Sequence, residues 1–199
     1  SAAHGTRTNP FVINTKEQWM FMVTKIADLG PNGDPTYNSD TTYYSLGADI
    51  DFGGNMLPPV GKGVAGFFGQ FLGNKHTVKN AYLDFFNSGY GSEGYHCAGL
   101  FNSLRYGAGI YDLVIDSTIR IEANKMTSGN TASTTGSMGN TREMLIGGLA
   151  AWIAGPANIS NVTSKATIRL ESTSATFQRI GTVGGIIGSN WSGAAGIYN

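Results

Sequence analysis

The chain has little charge, one cysteine and no long apolar run, and each shortage removes a class of function. Only 13% of its residues are charged, with 13 Lys and Arg balanced by 13 Asp and Glu. Scattered, balanced charge presents no electrostatic footprint for nucleic-acid phosphates and no basic run to dock on an anionic membrane. The lone Cys97 excludes an intrachain disulfide, and without a C-x-x-C partner it forms no metal or redox motif. His96 beside it is a poor activating base, because neighbours on a strand point to opposite faces, so Cys97 is expected in the core. No stretch approaches 18 consecutive apolar residues, and Ser1-Ala2-Ala3 carries neither a basic nor an apolar signal region. That opening fits a processed start whose signal peptide is already removed. His4, His76 and His96 have no i, i+4 spacing, and neither a P-loop nor a nucleophile elbow is present, so no metal and no cofactor are expected.

What the chain has is glycine, apolar residues and repetition. Its 41% hydrophobic and 11% aromatic content suffices for a sizeable core, which predicts one folded domain over residues 1–199. Gly99-Leu100-Phe101 is followed by Ile110-Tyr111-Asp112-Leu113, and Gly148-Leu149-Ala150 by Ile159-Ser160-Asn161-Val162 at the same distance. Thr118-Ile119-Arg120-Ile121-Glu122 recurs as Thr167-Ile168-Arg169-Leu170-Glu171 with the same offset of 49. A further copy runs from Gly184-Gly185-Ile186-Ile187 to Ile197-Tyr198-Asn199 and stops in mid-repeat. An earlier, degenerate copy spans Phe68 to Leu83, with Val78-x-Asn80-Ala81 aligned on Ile110-x-Asp112-Leu113.

Each unit alternates apolar and polar residues as short strands do, as in Thr118, Ile119, Arg120, Ile121, Glu122. One such unit cannot bury its own apolar face, so copies must stack on one continuous core. The prediction is an all-β chain, a parallel β-solenoid with coils over 42–199. Asn80, Asp112 and Asn161 recur at one position and are read as corner residues that satisfy turn amides or stack as a polar ladder, not as catalytic groups. The surplus that separates one repeat spacing of 49 from the next of 37 falls in a Ser/Thr-rich insertion loop over 123–144. Loops of this kind project from one face of a solenoid.

The N-terminal segment has a different period. Thr15-Lys16-Glu17-Gln18 is a capping box, and Trp19, Met22, Val23, Ile26 and Leu29 follow at helical spacing. An amphipathic helix is therefore expected over about 15–30, ending at Gly30-Pro31, with its apolar face capping the first coil. The open C-terminal coil is expected to continue into further chain or be covered by a partner.

Asn9-Pro10-Phe11-x-Ile13-x-Thr15-x-Glu17-Gln18-Trp19, Tyr44-x-Leu46-x-Ala48-Asp49-Ile50-Asp51-Phe52, Pro59-Val60-Gly61, Phe68-Gly69-Gln70-Phe71 and Gly73-Asn74-x-His76-Thr77-Val78 join the Gly-Leu-Phe and Gly-Gly-Leu-Ala units in one pattern. Across nearly the whole chain this pattern resembles the GLUG-motif β-helix proteins of bacteria, Bacteroidetes among them. The resemblance implies a right-handed parallel β-helix in a cell-surface or secreted protein such as an adhesin. It implies no enzyme, because the motif residues of that family are structural.

The carboxylates are the candidates for catalysis. Asp84 and Asp116 each lie six residues after an aligned apolar position, Val78 and Ile110, but the next copy has Lys165 there, which reads as a surface charge ladder. For binding, the alternation leaves Trp152 and Trp191 near corners and Tyr90 and Tyr95 in a Gly-rich connection, where exposed rings suit sugar or protein contact. The expected function is a non-catalytic extracellular structural or recognition module, meeting a protein or glycan on a cell surface. End-to-end self-association through the last coil is the expected mode of assembly, without nucleic acid or membrane insertion. The alternative is a carbohydrate-active β-helix, a polysaccharide lyase or hydrolase, or a carbohydrate-binding module.

Overall fold

Segments that repeat in the sequence lie side by side in the computed structural model, which describes residues 4–27, 35–61, 66–84, 96–126, 144–172, 182–190 and 196–198. Among the described residues the chain is mostly strand with one short helix, and its sheets are parallel. The first part holds β1 (Phe11–Ile13), α1 (Lys16–Ala27), β2 (Tyr43–Leu46), β3 (Ile50–Met56), β4 (Gln70–Leu72) and β5 (Thr77–Asp84). Then comes a five-strand set, β6 (His96–Ala98), β7 (Phe101–Arg105), β8 (Ala108–Tyr111), β9 (Val114–Ile115) and β10 (Ile119–Met126). It recurs as β11 (Met144–Gly147), β12 (Ala150–Ala154), β13 (Ala157–Ser160), β14 (Thr163–Ser164) and β15 (Thr167–Ser172). A partial third set follows in β16 (Thr182–Gly184), β17 (Ile187–Asn190) and β18 (Gly196–Tyr198).

Each strand of one set pairs in parallel with the same strand of the next. The sheets run β6-β11-β16, β7-β12-β17 and β1-β2-β4-β8-β13-β18, while β3, β5, β9, β10, β14 and β15 form the fourth. In the sheet that begins with β1 one row holds Phe11, Tyr44, Phe71, Ile110, Ile159 and Ile197. The sequence offset of 49 thus becomes a direct neighbour relation, Ile110 opposite Ile159. The shorter spacing of 37 does the same for Ala150 and Ile187. The glycine that ends β11 has a steric reason: a Cβ on Gly147 would strike the Ala150 carbonyl oxygen and stand 2.6 Å from the Gly188 nitrogen. Only glycine lets strand backbones pass so closely.

Two registers differ from the sequence alignment. Phe71, not Val78, is the neighbour of Ile110, and Val78 instead lies opposite Ile115. Asp84 accordingly falls opposite Glu122 in register and not at the position of Asp116, so the two residues do not recur at one place. The alignment failed because an aromatic residue fills in β4 the place that isoleucine fills in β8 and β13. The second difference lies in β10 and β15, where Arg120 pairs with Thr167 and Ile121 with Ile168, an offset of 47. The inside-outside order survives, with Ile119 and Ile121 buried and Thr118 and Arg120 exposed.

The helix begins as its capping box requires. Gln18 Oε1 accepts the amides of Asn14 at 2.6 Å and Thr15 at 3.2 Å, and the Gln18 amide donates to the Thr15 hydroxyl at 3.3 Å. Trp19, Met22, Val23 and Ile26 are buried, and the Trp19 ring meets Phe52 and Phe71 edge-on at 5.4 and 5.5 Å. Phe71 in turn meets Phe101, and Phe101 meets Phe67, so an aromatic chain continues the helix face into the sheets. These side chains share one cluster with Val78, Ile115, Ile121, Leu149 and Ile159. Leu29, Gly30-Pro31 and most of the expected insertion loop lie outside the described residues.

Candidate binding site

Three places were expected or able to carry chemistry: the singled-out aromatics, the corner carboxylates and a cleft beside α1. Of the aromatics, Tyr90, Tyr95 and Trp191 lie outside the described residues. Trp152 is placed, and it is 2% exposed, so its expected position outside the core is corrected. The reason is that β7 and β12 do not alternate strictly. Their core-facing residues, Phe101 with Leu104 and Ala150 with Ile153, are three apart. Ala151 and Trp152 instead pack with Leu145 in a second small cluster, and the Arg105 guanidinium stacks 4.6 Å from the Trp152 ring centre. The ring serves packing and a cation–π contact there.

The corners are held by short polar side chains. Asn74, Asn80, Asp112 and Asn161 all adopt left-handed backbone, with φ between 52° and 59°. Asn and Asp tolerate this conformation because their side chains bond locally. Asn161 Nδ2 donates to Asp112 Oδ1 at 3.1 Å, one step of the expected polar ladder. Asn80 does not share the position of Asp112 and Asn161, as the sequence alignment suggested, but lies within β5, where its Nδ2 donates to Asp51 Oδ2 at 2.8 Å. Asp49 accepts the Thr77 amide at 2.9 Å and faces His76 Nδ1 at 3.1 Å, and Asp116 accepts the Thr118 hydroxyl at 2.7 Å.

These bonds set the ionisation of the acids. The Thr77 amide, followed by His76, holds the Asp49 carboxyl below its usual range. The Asn80 side chain and the Gly53 amide do the same for Asp51, and Thr118 does it for Asp116. A general acid needs the opposite shift, so these carboxylates act as anionic turn acceptors. Among the described residues no group of three His, Cys, Asp or Glu side chains converges on a point that could hold a metal.

The cleft is a different kind of place. It encloses about 400 Å³ between β1 and α1, lined by all three residues of β1, by Asn9, Pro10 and His4, by Gln18, Phe21 and Met22, and by Tyr37 and Tyr44. Phe11 stacks on Tyr37 at 5.5 Å, and Phe21 meets Tyr37 edge-on at 6.4 Å. Burial pushes the Tyr44 phenol well above its usual range, and its hydroxyl donates to the Tyr37 carbonyl at 2.7 Å. The sequence offered one signal for this site. Phe21 falls two residues after Trp19, off the apolar stripe of the helix, and it is 56% exposed. Its partners Phe11 and Tyr37 come from separate segments, which no local pattern joins.

Fold and site together define a strand-rich protein of parallel sheets with an aromatic cleft at one sheet edge. Comparison with protein-family models, with curated proteins and with solved structures returns no match for this chain.

Proposed function

We propose that the chain is a right-handed parallel β-helix whose first coil is capped by α1, and that it works as a non-catalytic recognition module outside a bacterial cell. The observation that carries this reading is the parallel pairing of every strand from β6 to β10 with the same strand of the next set. Such an arrangement grows by adding sets, and a stack of sets is a rigid spacer that holds loops and edges away from its base. The resemblance to GLUG-motif proteins, carried by the repeated Gly-Leu-Phe and Gly-Gly-Leu-Ala units, points to the cell surface and to adhesion.

The chemistry of the corners supports a non-catalytic role. The acids at Asp49, Asp51 and Asp116 are committed to turn amides and hydroxyls, whereas hydrolysis or elimination on a sugar needs two ionisable groups with separated roles. The experiment offers the protein to immobilised cell-surface glycans and proteins while soluble polysaccharides are assayed for new reducing ends. Retention without product formation is expected. Turnover of any polysaccharide by the purified protein overturns the reading in favour of a carbohydrate-active β-helix.

A further inference from the structure

The open side of β1 carries an inference that does not depend on the repeat-module reading. β1 is the end strand of its sheet, paired among the described residues only with β2. The Gly47 amide donates to the Ile13 carbonyl at 3.0 Å, so the main chains of Phe11 and Ile13 point toward β2. In a parallel pair alternate residues bond to opposite sides, which turns the amide and carbonyl of Val12 to the open side. The cleft takes its lining from both faces of β1, from Tyr37 and Tyr44, and from Gln18, Phe21 and Met22 of α1. Val12 and Phe21, 50% and 56% exposed, are two of the large apolar residues left uncovered, and both line it.

Charge decides the partner. The residues lining the cleft include no carboxylate, and the Lys25 ammonium stands 5.4 Å from the centres of both the Phe21 and Tyr37 rings. Directed polar groups are few, since Gln18 Oε1 is occupied by two main-chain amides of the cap. A ligand therefore gains most from main-chain bonds, an apolar group in the cleft and a negative charge near Lys25. We propose that the groove between β1 and α1 docks an extended acidic segment of a partner protein, which adds a strand beside β1 and seats an apolar side chain among Phe11, Phe21 and Tyr37. Strand addition with a side-chain pocket is a general mode of peptide recognition.

The test uses the isotope-labelled protein and two capped hexapeptides, one with a central phenylalanine flanked by aspartates and one flanked by lysines. Titration of the aspartate peptide is expected to shift the amide resonances of Val12 and Phe21 and to protect the Val12 amide from exchange. Lys25→Glu is expected to weaken that peptide by about tenfold and to favour the lysine peptide, as reversal of one rim charge should. Phe21→Ala, at an exposed position, is expected to abolish binding at an unchanged thermal midpoint. Val12→Pro removes the donor on an edge strand, where proline is tolerated, and should do the same. Absence of shifts at Val12 and Phe21, an equal response to both peptides, or shifts that grow with protein concentration alone overturn the proposal. The last result would assign the groove to a second copy of the chain.

Discussion

The region from β1 to β5 and the region from β6 to β15 bury their cores by different means. In the first, Trp19 meets Phe52 and Phe71, Tyr44 meets Phe67, the two groups join through Phe101 of β7, and α1 adds its apolar face. In the second, Ile110, Ile115, Ile119, Ile121, Leu149 and Ile159 occupy the equivalent depth. Large rings fill a layer by shape and tolerate no missing neighbour, while aliphatic rows spread the same burial over repeated, interchangeable positions. The first region is expected to behave as a single keyed unit, and the second as a series.

Excising one repeat is the broadest way to break this contrast. Removing Ile110 to Asn158 joins Gly109 to Ile159 and lets Phe71 meet Ile159 in place of Ile110. A folded protein with one cooperative but lower thermal transition is expected by calorimetry. Removing Phe71 to Gly109 instead takes a ring from Trp19, and loss of the cooperative transition is expected. At single positions, Phe71→Ala should cost about 3–5 kcal/mol in a denaturant titration, against about 0.5–1.5 kcal/mol for Ile110→Val. Smaller again is a corner: Asn161→Val places a branched side chain at a φ of 54° and should cost about 1–2 kcal/mol. Asn161→Gly should stay within about 0.5 kcal/mol, since glycine adopts this φ without strain.

At the helix, Thr15→Ala removes an acceptor of the cap and should cost about 0.5–2 kcal/mol, read from the same titration. The smallest effect is expected from acid. Asp49, Asp51 and Asp116 ionise more readily in the folded than in the unfolded chain. Their contribution is present above the unfolded carboxylate pKa of about 3.9 and is lost as pH falls through the lower folded-state values. The thermal midpoint should therefore decline between about pH 5 and about pH 2, and Asp49→Asn should flatten that decline.

What could be read in the sequence follows the same division. The capping box at Thr15 and Gln18 was legible because its bonds close within four residues. Ile110, Ile159 and Ile197 were legible as neighbours because one letter repeats where one layer repeats. Phe71 was not, because its ring occupies an isoleucine's place, and the alignment slid to Val78. Trp152 was misplaced because core-facing residues on β12 are spaced by three, which an alternating pattern cannot express. The cleft was hidden for another reason: it is assembled from residues 4 to 44 by tertiary contact alone, with Phe21 as its one local mark.

The displaced register of β10 and β15 bears on how such a chain changes in length. Its offset differs from that of β8 and β13 by two residues, and two is the period with which side chains switch faces. Ile121 still lies opposite Ile168, and the exposed row stays exposed. A loss of two residues is thus absorbed by sliding, while the single-residue shift between Ala123 and Met126 in the same pair is taken up by a local irregularity of the strand. Natural variants of this protein, and grafts made into it, should differ in these strands by even steps or carry a bulge where the step is odd.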